Sequence, residues 1–147
     1  MTPKEFREQL LQRFHNGEVD RDTFIKQYNR PPLRKALSKS KRMEVYKKYN
    51  GHCAYCGCEL EYKDMQIDHL VPFDEGGDNQ ELSNLMPSCK QCNYYKSNGS
   101  LESLRRDVGC ILERLDKQMF IYRLAKKYGL LVETPKEIKF YFEEEKL

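Results

Sequence analysis

Two Cys-x-x-Cys pairs, Cys53-Ala54-Tyr55-Cys56 and Cys89-Lys90-Gln91-Cys92, stand 32 residues apart in a chain of 147. Each pair can close a tight turn that aims both sulfurs the same way. Two such turns match the need of a tetrahedral Zn²⁺ for four soft ligands at about 2.3 Å. Gly57 follows Cys56 directly, and a residue without Cβ lets the backbone curl until its amides face the sulfurs. Cys58 is the rival to Cys56 as a ligand, although the x-x spacing favours Cys53 with Cys56. Cys110 falls within a helical pattern and reads as a small buried apolar residue.

Six cysteines could instead form disulfides. The N-terminus MTPKEFREQLLQRF has no apolar signal-peptide core, and without export, paired thiols more often mean metal. The expected location is cytoplasmic or nucleoid-associated, not secreted. No apolar run approaches the roughly 20 residues needed to cross a bilayer, so no membrane is expected. With 33% charged and 39% hydrophobic residues the core must be modest, and a small core benefits from a staple. Structural zinc contributes about 10–16 kcal/mol in finger peptides. An ion closed in by four thiolates has no open position for water, so any chemistry must lie elsewhere.

Net charge is only +3, but it is unevenly spread. Residues 30–48 hold eight Lys/Arg against one acid, Glu44, whereas residues 59–85 hold eight Asp/Glu against one base, Lys63. A basic flank beside an acidic centre suits a protein that binds a polyanion and holds a divalent cation. A solvated helix face explains the flank equally well when it is taken alone.

Local patterns place these groups on elements. Thr2-Pro3-Lys4-Glu5 reads as a capping box opening a helix to about Asn16, closed by Gly17. A second helix is expected over Asp20 to Tyr28, Pro31-Pro32 breaks the pattern, and a third helix runs over Ser40 to Tyr49. Strands are expected at Leu60–Tyr62 and Met65–Val71. A loop follows from Pro72 to Asn84 with its bend at Gly76-Gly77, and Cys89 opens a turn into a helix. Leu101, Leu104, Val108, Leu112, Leu115 and Met119 recur at helical spacing, which predicts one long amphipathic helix. FIYRLAKKYG reads as a further helix closing at Gly129, and KFYF as a short strand.

Asp68 and His69 are neighbours on a predicted strand, so their side chains should face opposite ways and do different jobs. Asp is a hard oxygen ligand suited to Mg²⁺, and His titrates near neutrality and can take a proton from water. Asn93 and Lys96 lie three apart in the first turns of a helix, where free amides favour a phosphate. Asn93 can add a neutral oxygen to a metal, and Lys96 can neutralise the phosphate. Tyr94 and Tyr95 read as packing residues rather than stacking platforms.

Taken together, Cys53-x-x-Cys56, Asp68-His69, Asn84-Leu85 and Cys89-x-x-Cys92-Asn93-x-x-Lys96 resemble the HNH endonuclease family in its zinc-containing ββα-metal form. The likeness covers about residues 40 to 98. It implies an α+β fold, a small ββα-metal core with a four-cysteine zinc site (Cys53, Cys56, Cys89, Cys92) flanked by N- and C-terminal helices. By the same resemblance His69 is the general base, Asp68 a metal ligand, and Asn84 the residue that ties down the loop and helps orient the base. Asn93 takes the final position, where the family often has His. The resulting H-N-N pattern tilts the catalytic ion toward Mg²⁺ or Mn²⁺.

The expected organisation is an N-terminal arm and basic linker (1–38), a nuclease core (39–100) and a helical extension (101–147). Lys96 with Lys41, Arg42, Arg34 and Lys35 would grip the DNA backbone, so binding should weaken with salt. The helix from Leu101 could serve as a homodimer face, although covering its own domain is the favoured reading. The rival is a zinc-stabilised DNA-binding module without turnover. A zinc deaminase needs a Glu two residues after its ligand His, but position 71 is Val. A thiol oxidoreductase lacks its βαβ surroundings.

Overall fold

The computed structural model describes residues 1–29 and 35–145. Helix α1 (Pro3–His15) opens on the expected box: the Thr2 hydroxyl accepts from Glu5 N, and Glu5 accepts from Thr2 N at 2.8 Å. Two of the helix's unpaired N-terminal donors are thereby satisfied. Helix α2 (Arg21–Tyr28) is capped by Asp20, whose carboxylate accepts from Asp22 N and Thr23 N. The two pack as a hairpin through the stacked rings of Phe14 and Phe24, 4.6 Å apart, and α1 also touches the 3-10 turn Phe73–Glu75.

Helix α3 (Lys39–Lys47) begins at its Ser38 cap and buries Val45. Asn50 and Gly51, both at positive φ, turn the chain back after it. Strand β1 (Gln66–His69) then pairs antiparallel with β2 (Leu85–Ser88), in the register Asp68 to Met86 and His69 to Leu85. Helix α4 (Lys90–Lys96) follows, which completes the small ββα unit expected of an α+β fold. Every residue of β2 is buried.

One strand is not where the sequence predicts it. The partner of β1 is β2, beyond the loop, and not Leu60–Tyr62. Leu60 is spent as a core plug with 8% of its surface exposed, Tyr62 meets Tyr46 edge-on at 5.5 Å, and a turn at Glu61 ends the segment. β1 is also shorter than Met65–Val71. Past His69 the side chain of Asn84 takes over the hydrogen bonding, accepting from Val71 N at 2.8 Å.

The long helix expected over Leu101–Met119 is broken into α5 (Leu101–Gly109) and α6 (Ile111–Gln118), and α7 (Phe120–Lys127) follows. Gly109 is a poor helix former, and Met119 adopts extended dihedrals, φ −118° and ψ 106°. Hydrophobic spacing records which face is buried, not whether the axis is continuous. Cys110 accordingly sits half-buried at the joint. The KFYF segment is not a strand but the start of a helical turn, α8 (Tyr141–Glu144), because Glu143 folds back to accept from Phe140 N at 2.9 Å.

One core joins α3, the thiol turns, the sheet, α5 and the C-terminal segment. Val45, Tyr49, Ala54, Tyr55, Leu60, Met65, Leu85 and Met86 pack with Leu104 of α5 and with Phe140, which is 3% exposed. The C-terminal segment is thus part of the same core as residues 39–100. Its main chain donates from Tyr141 N to Tyr55 O and from Phe142 N to Ala54 O, at 3.0 and 2.9 Å. Arg105 fastens it from α5 with a paired contact to Glu143 and a bond to Ile138 O at 2.7 Å. Phe140→Ala is expected to lower stability by about 3–5 kcal/mol in urea denaturation. A loss under about 1 kcal/mol would show that the segment is not docked.

Candidate functional site

Two clusters of chemistry-bearing side chains meet at the ββα unit. The first is sulfur. Turn 53–58 is closed by Gly57 N to Cys53 O and Cys53 N to Cys58 O, with Gly57 at φ 74°. A Cβ on Gly57 would lie 2.7 Å from the Tyr141 ring, so the turn also needs glycine for space. The Cys89 thiol caps α4 by accepting from Cys92 N at 3.4 Å, and Cys89 N donates to the Cys53 sulfur at 3.3 Å.

The sulfurs of Cys53, Cys56, Cys58 and Cys89 all lie within 4.8 Å of one another, and Cys92 meets the group through its amide, which donates to the Cys89 sulfur. Cys58 therefore stands inside the tight group that the spacing assigns to Cys92, and Cys92 sits at its edge. All six cysteines are free. The Cys92 side chain, with backbone N–H groups, pulls the Cys53 thiol down to about 4, while burial pushes Cys56 up and lifts Cys58 to about 12. Crowded thiols resist ionising together unless a cation neutralises them. Convergent soft donors on two rigid turns fit a zinc ion.

The second cluster lines a cleft of about 190 Å³ formed by Ile67, Asp68, His69, Pro72, Asn93, Ser97 and Asn98. β1 supplies Asp68 and His69, and α4 supplies Asn93, so the pairing of strand and helix gathers the three predicted residues. Asp68 and Asn93 offer hard oxygens and His69 an imidazole, a donor set that fits Mg²⁺ or Mn²⁺. A larger apolar groove of about 720 Å³, between α5 and the C-terminal segment, contains none of these three. Size does not choose the site; chemistry does.

Asn84 ties down the loop that follows β1. Its amide accepts from Val71 N at 2.8 Å and donates to Val71 O at 3.1 Å and Asp78 O at 2.9 Å, cinching the loop from 71 to 78. Gly77 fits under this clasp only because it lacks a side chain: a Cβ there would stand 1.9 Å from Val71 O. Lys48 reinforces the approach to β2, donating to Leu82 O and Leu85 O at 3.0 Å each, and burial lowers its pKa.

Lys96 departs from its predicted role as a phosphate contact. Its side chain is fully buried, and its ammonium lies 3.2 and 3.0 Å from the two oxygens of Asp68 and 3.0 Å from His69 O. The reason is geometric. On α4 it shares the inward face with Asn93, directly behind β1.

Sequence reasoning misses Tyr55, yet its hydroxyl donates to the same Asp68 carboxylate. Burial, then the adjacent Asp68 charge, raise its pKa far above the ordinary phenol range, so it remains a neutral donor. The available signal is an aromatic with a polar handle between two clustered thiols, where only the hydroxyl needs a partner.

Of the predicted DNA contacts, Lys41 pairs with Glu44 at 3.0 Å and Arg42 donates to Met65 O at 3.2 Å beside the Tyr62 ring. Lys35 is exposed, and its carbonyl accepts from Asn79 and Gln80. Arg34 lies outside the described residues. Among the described residues no helix is long and apolar enough to cross a membrane.

The family described as HNH endonuclease matches residues 53–99, the span from the first thiol to just past the end of α4. The chain carries an HNH domain. The chain is 44% identical over 46 residues to the CRISPR-associated endonuclease Cas9 of Actinomyces naeslundii, covering 31% of this chain and 4% of that protein. It is 33% identical over 57 residues to the Cas9 of Corynebacterium diphtheriae, covering 39% and 5%. The Septu protein PtuB of Bacillus thuringiensis is 42% identical over 50 residues, covering 32% of this chain and 20% of its own length. The likeness is thus confined to a small part of each relative.

Gly77→Ala is expected to cost about 1–3 kcal/mol through overpacking of the clasp. Chemical denaturation would measure it, and an unchanged midpoint would show that the loop is not held this way.

Proposed function

We propose that the HNH domain is a divalent-metal-dependent DNA endonuclease that hydrolyses phosphodiester bonds. The observation that supports this best is the convergence of Asp68, His69 and Asn93 on one cleft. His69, a half-buried imidazole on the cleft wall, takes the proton from the attacking water. Asn84 keeps the loop from closing over the imidazole and so fixes the space in which water and phosphate meet. Asp68 and Asn93 would hold the Mg²⁺ or Mn²⁺. When bound, that ion supplies charge stabilisation at the scissile phosphate and the leaving oxygen. Exposed basic groups such as Lys35 steer the polyanion, so affinity should fall as salt rises. All three cleft residues come from one copy, so a monomer suffices for a nick.

The zinc reading is structural. Cys53, Cys56, Cys89 and Cys92 are proposed as the ligands, with Cys58 the adjacent spare thiol. Cys92→Ser should therefore lose most of its zinc, as should Cys53→Ser, whereas Cys58→Ser should retain about one zinc per chain by elemental analysis. The reverse order would assign the fourth position to Cys58.

The activity itself is tested on supercoiled plasmid with Mg²⁺, Mn²⁺ or EDTA. Wild type should nick in the presence of either ion and stop with EDTA. His69→Ala should be slower by at least about 100-fold while still binding DNA, in line with the loss of a general base. A wild type that binds DNA but nicks nothing with either ion would favour the inactive DNA-binding module.

A further inference from the structure

Asp68 is the sole carboxylate among the described residues lining the cleft, and its charge is already answered. Lys96 Nζ sits 3.0 and 3.2 Å from the two carboxylate oxygens, with both side chains out of solvent, 0% and 6% exposed. The lysine cannot swing aside freely, because it also donates to His69 O at 3.0 Å. The Tyr55 hydroxyl also donates to the carboxylate, at the same Oδ2 that Lys96 approaches most closely. Beside the His69 imidazole, the other polar side chains of the cleft, Asn93, Ser97 and Asn98, are uncharged amides and a hydroxyl.

A divalent ion entering this cleft meets an amide and a carboxylate whose charge is cancelled by a neighbouring ammonium. Affinity for hard cations rises with the number of anionic ligands, and a like charge a few ångströms away opposes binding. A DNA phosphate brings the missing negative charge. We propose that Lys96 is a positioning residue, a built-in counter-charge to Asp68, which keeps the carboxylate in register but makes uptake of the divalent ion depend on bound DNA. The idea rests on the nuclease reading for its substrate and deepens it. It also gives the buried lysine a use that a backbone contact cannot.

The test uses the zinc-loaded protein and Mn²⁺, whose free ion is counted by electron paramagnetic resonance. Without DNA, Lys96→Gln should bind Mn²⁺ about fivefold or more tighter than wild type, and Lys96→Arg should match wild type. Linkage then requires Mn²⁺ to tighten DNA binding by the factor that DNA tightens Mn²⁺ binding. In a His69→Ala background that cannot cut, Mn²⁺ should strengthen binding to a fluorescein-labelled duplex, and the gain should shrink in His69→Ala/Lys96→Gln. If Lys96→Gln fails to fold, Lys96→Met supplies the same comparison.

A folded Lys96→Gln with unchanged or weaker Mn²⁺ affinity overturns the proposal. So does a duplex affinity indifferent to Mn²⁺ in the His69→Ala protein, whatever the lysine variants do. Plasmid left intact by wild type would sink the nuclease reading alone, since the Mn²⁺ affinities are read without turnover.

Discussion

A buried ion pair between Lys96 and Asp68 holds the cleft face of the domain together. Removing two charges from water costs several kcal/mol per ion, and their attraction compensates only with good geometry and further hydrogen bonds. Here the further bonds are present: the ammonium reaches His69 O, and the carboxylate takes the Tyr55 hydroxyl. Each member belongs to a different element. Tyr55 stands in the thiol turn, Asp68 on β1 and Lys96 at the end of α4. The pair therefore does more than neutralise charge, because it fixes where strand, helix and turn meet, and the cleft is the space left beside that meeting point.

The two donor sets contrast in a way that divides their labour. Sulfurs on the thiol turns are soft, and a site that saturates a metal with them does no chemistry on water. Oxygens in the cleft are hard and few, and suit an exchangeable ion. Tyr55 connects the two across the short distance between Cys53 and Cys56. Loss of order in the sulfur turns would thus be felt at Asp68 directly, without any long relay. On the opposite side, Asn84 and Gly77 clasp the loop, and α1 packs on the turn at Phe73 that this loop contains.

Much of this is legible in the sequence because local rules and tertiary packing agree. Thr2 with Glu5, and Asp20, announce their helices through caps that need only neighbouring residues. Paired thiols announce their turns through spacing alone. Asp68-His69 reads as strand, and Asn93 as the first turns of a helix, and the fold keeps both. What stays illegible depends on distant partners. β2 reads poorly as a strand because Pro87 lies within it, which a two-stranded sheet tolerates at its edge. The turn at Phe140 follows from docking against the core through the main-chain bonds of Tyr141 and Phe142. A lysine on a polar helix looks solvent-exposed until the carboxylate behind it is known, so sequence alone gives Lys96 the right face of α4, shared with Asn93, but a phosphate in place of Asp68 as its partner.

The sulfur turns hold the Asp68 carboxylate in place through the Tyr55 hydroxyl. Amide hydrogen exchange across β1 and α4, followed by mass spectrometry before and after zinc is stripped with a strong chelator, measures this directly. The account expects protection to fall at Asp68 and His69 together with the thiol turns, and to return when zinc is restored. Thiol turns that loosen while β1 keeps its full protection would contradict it.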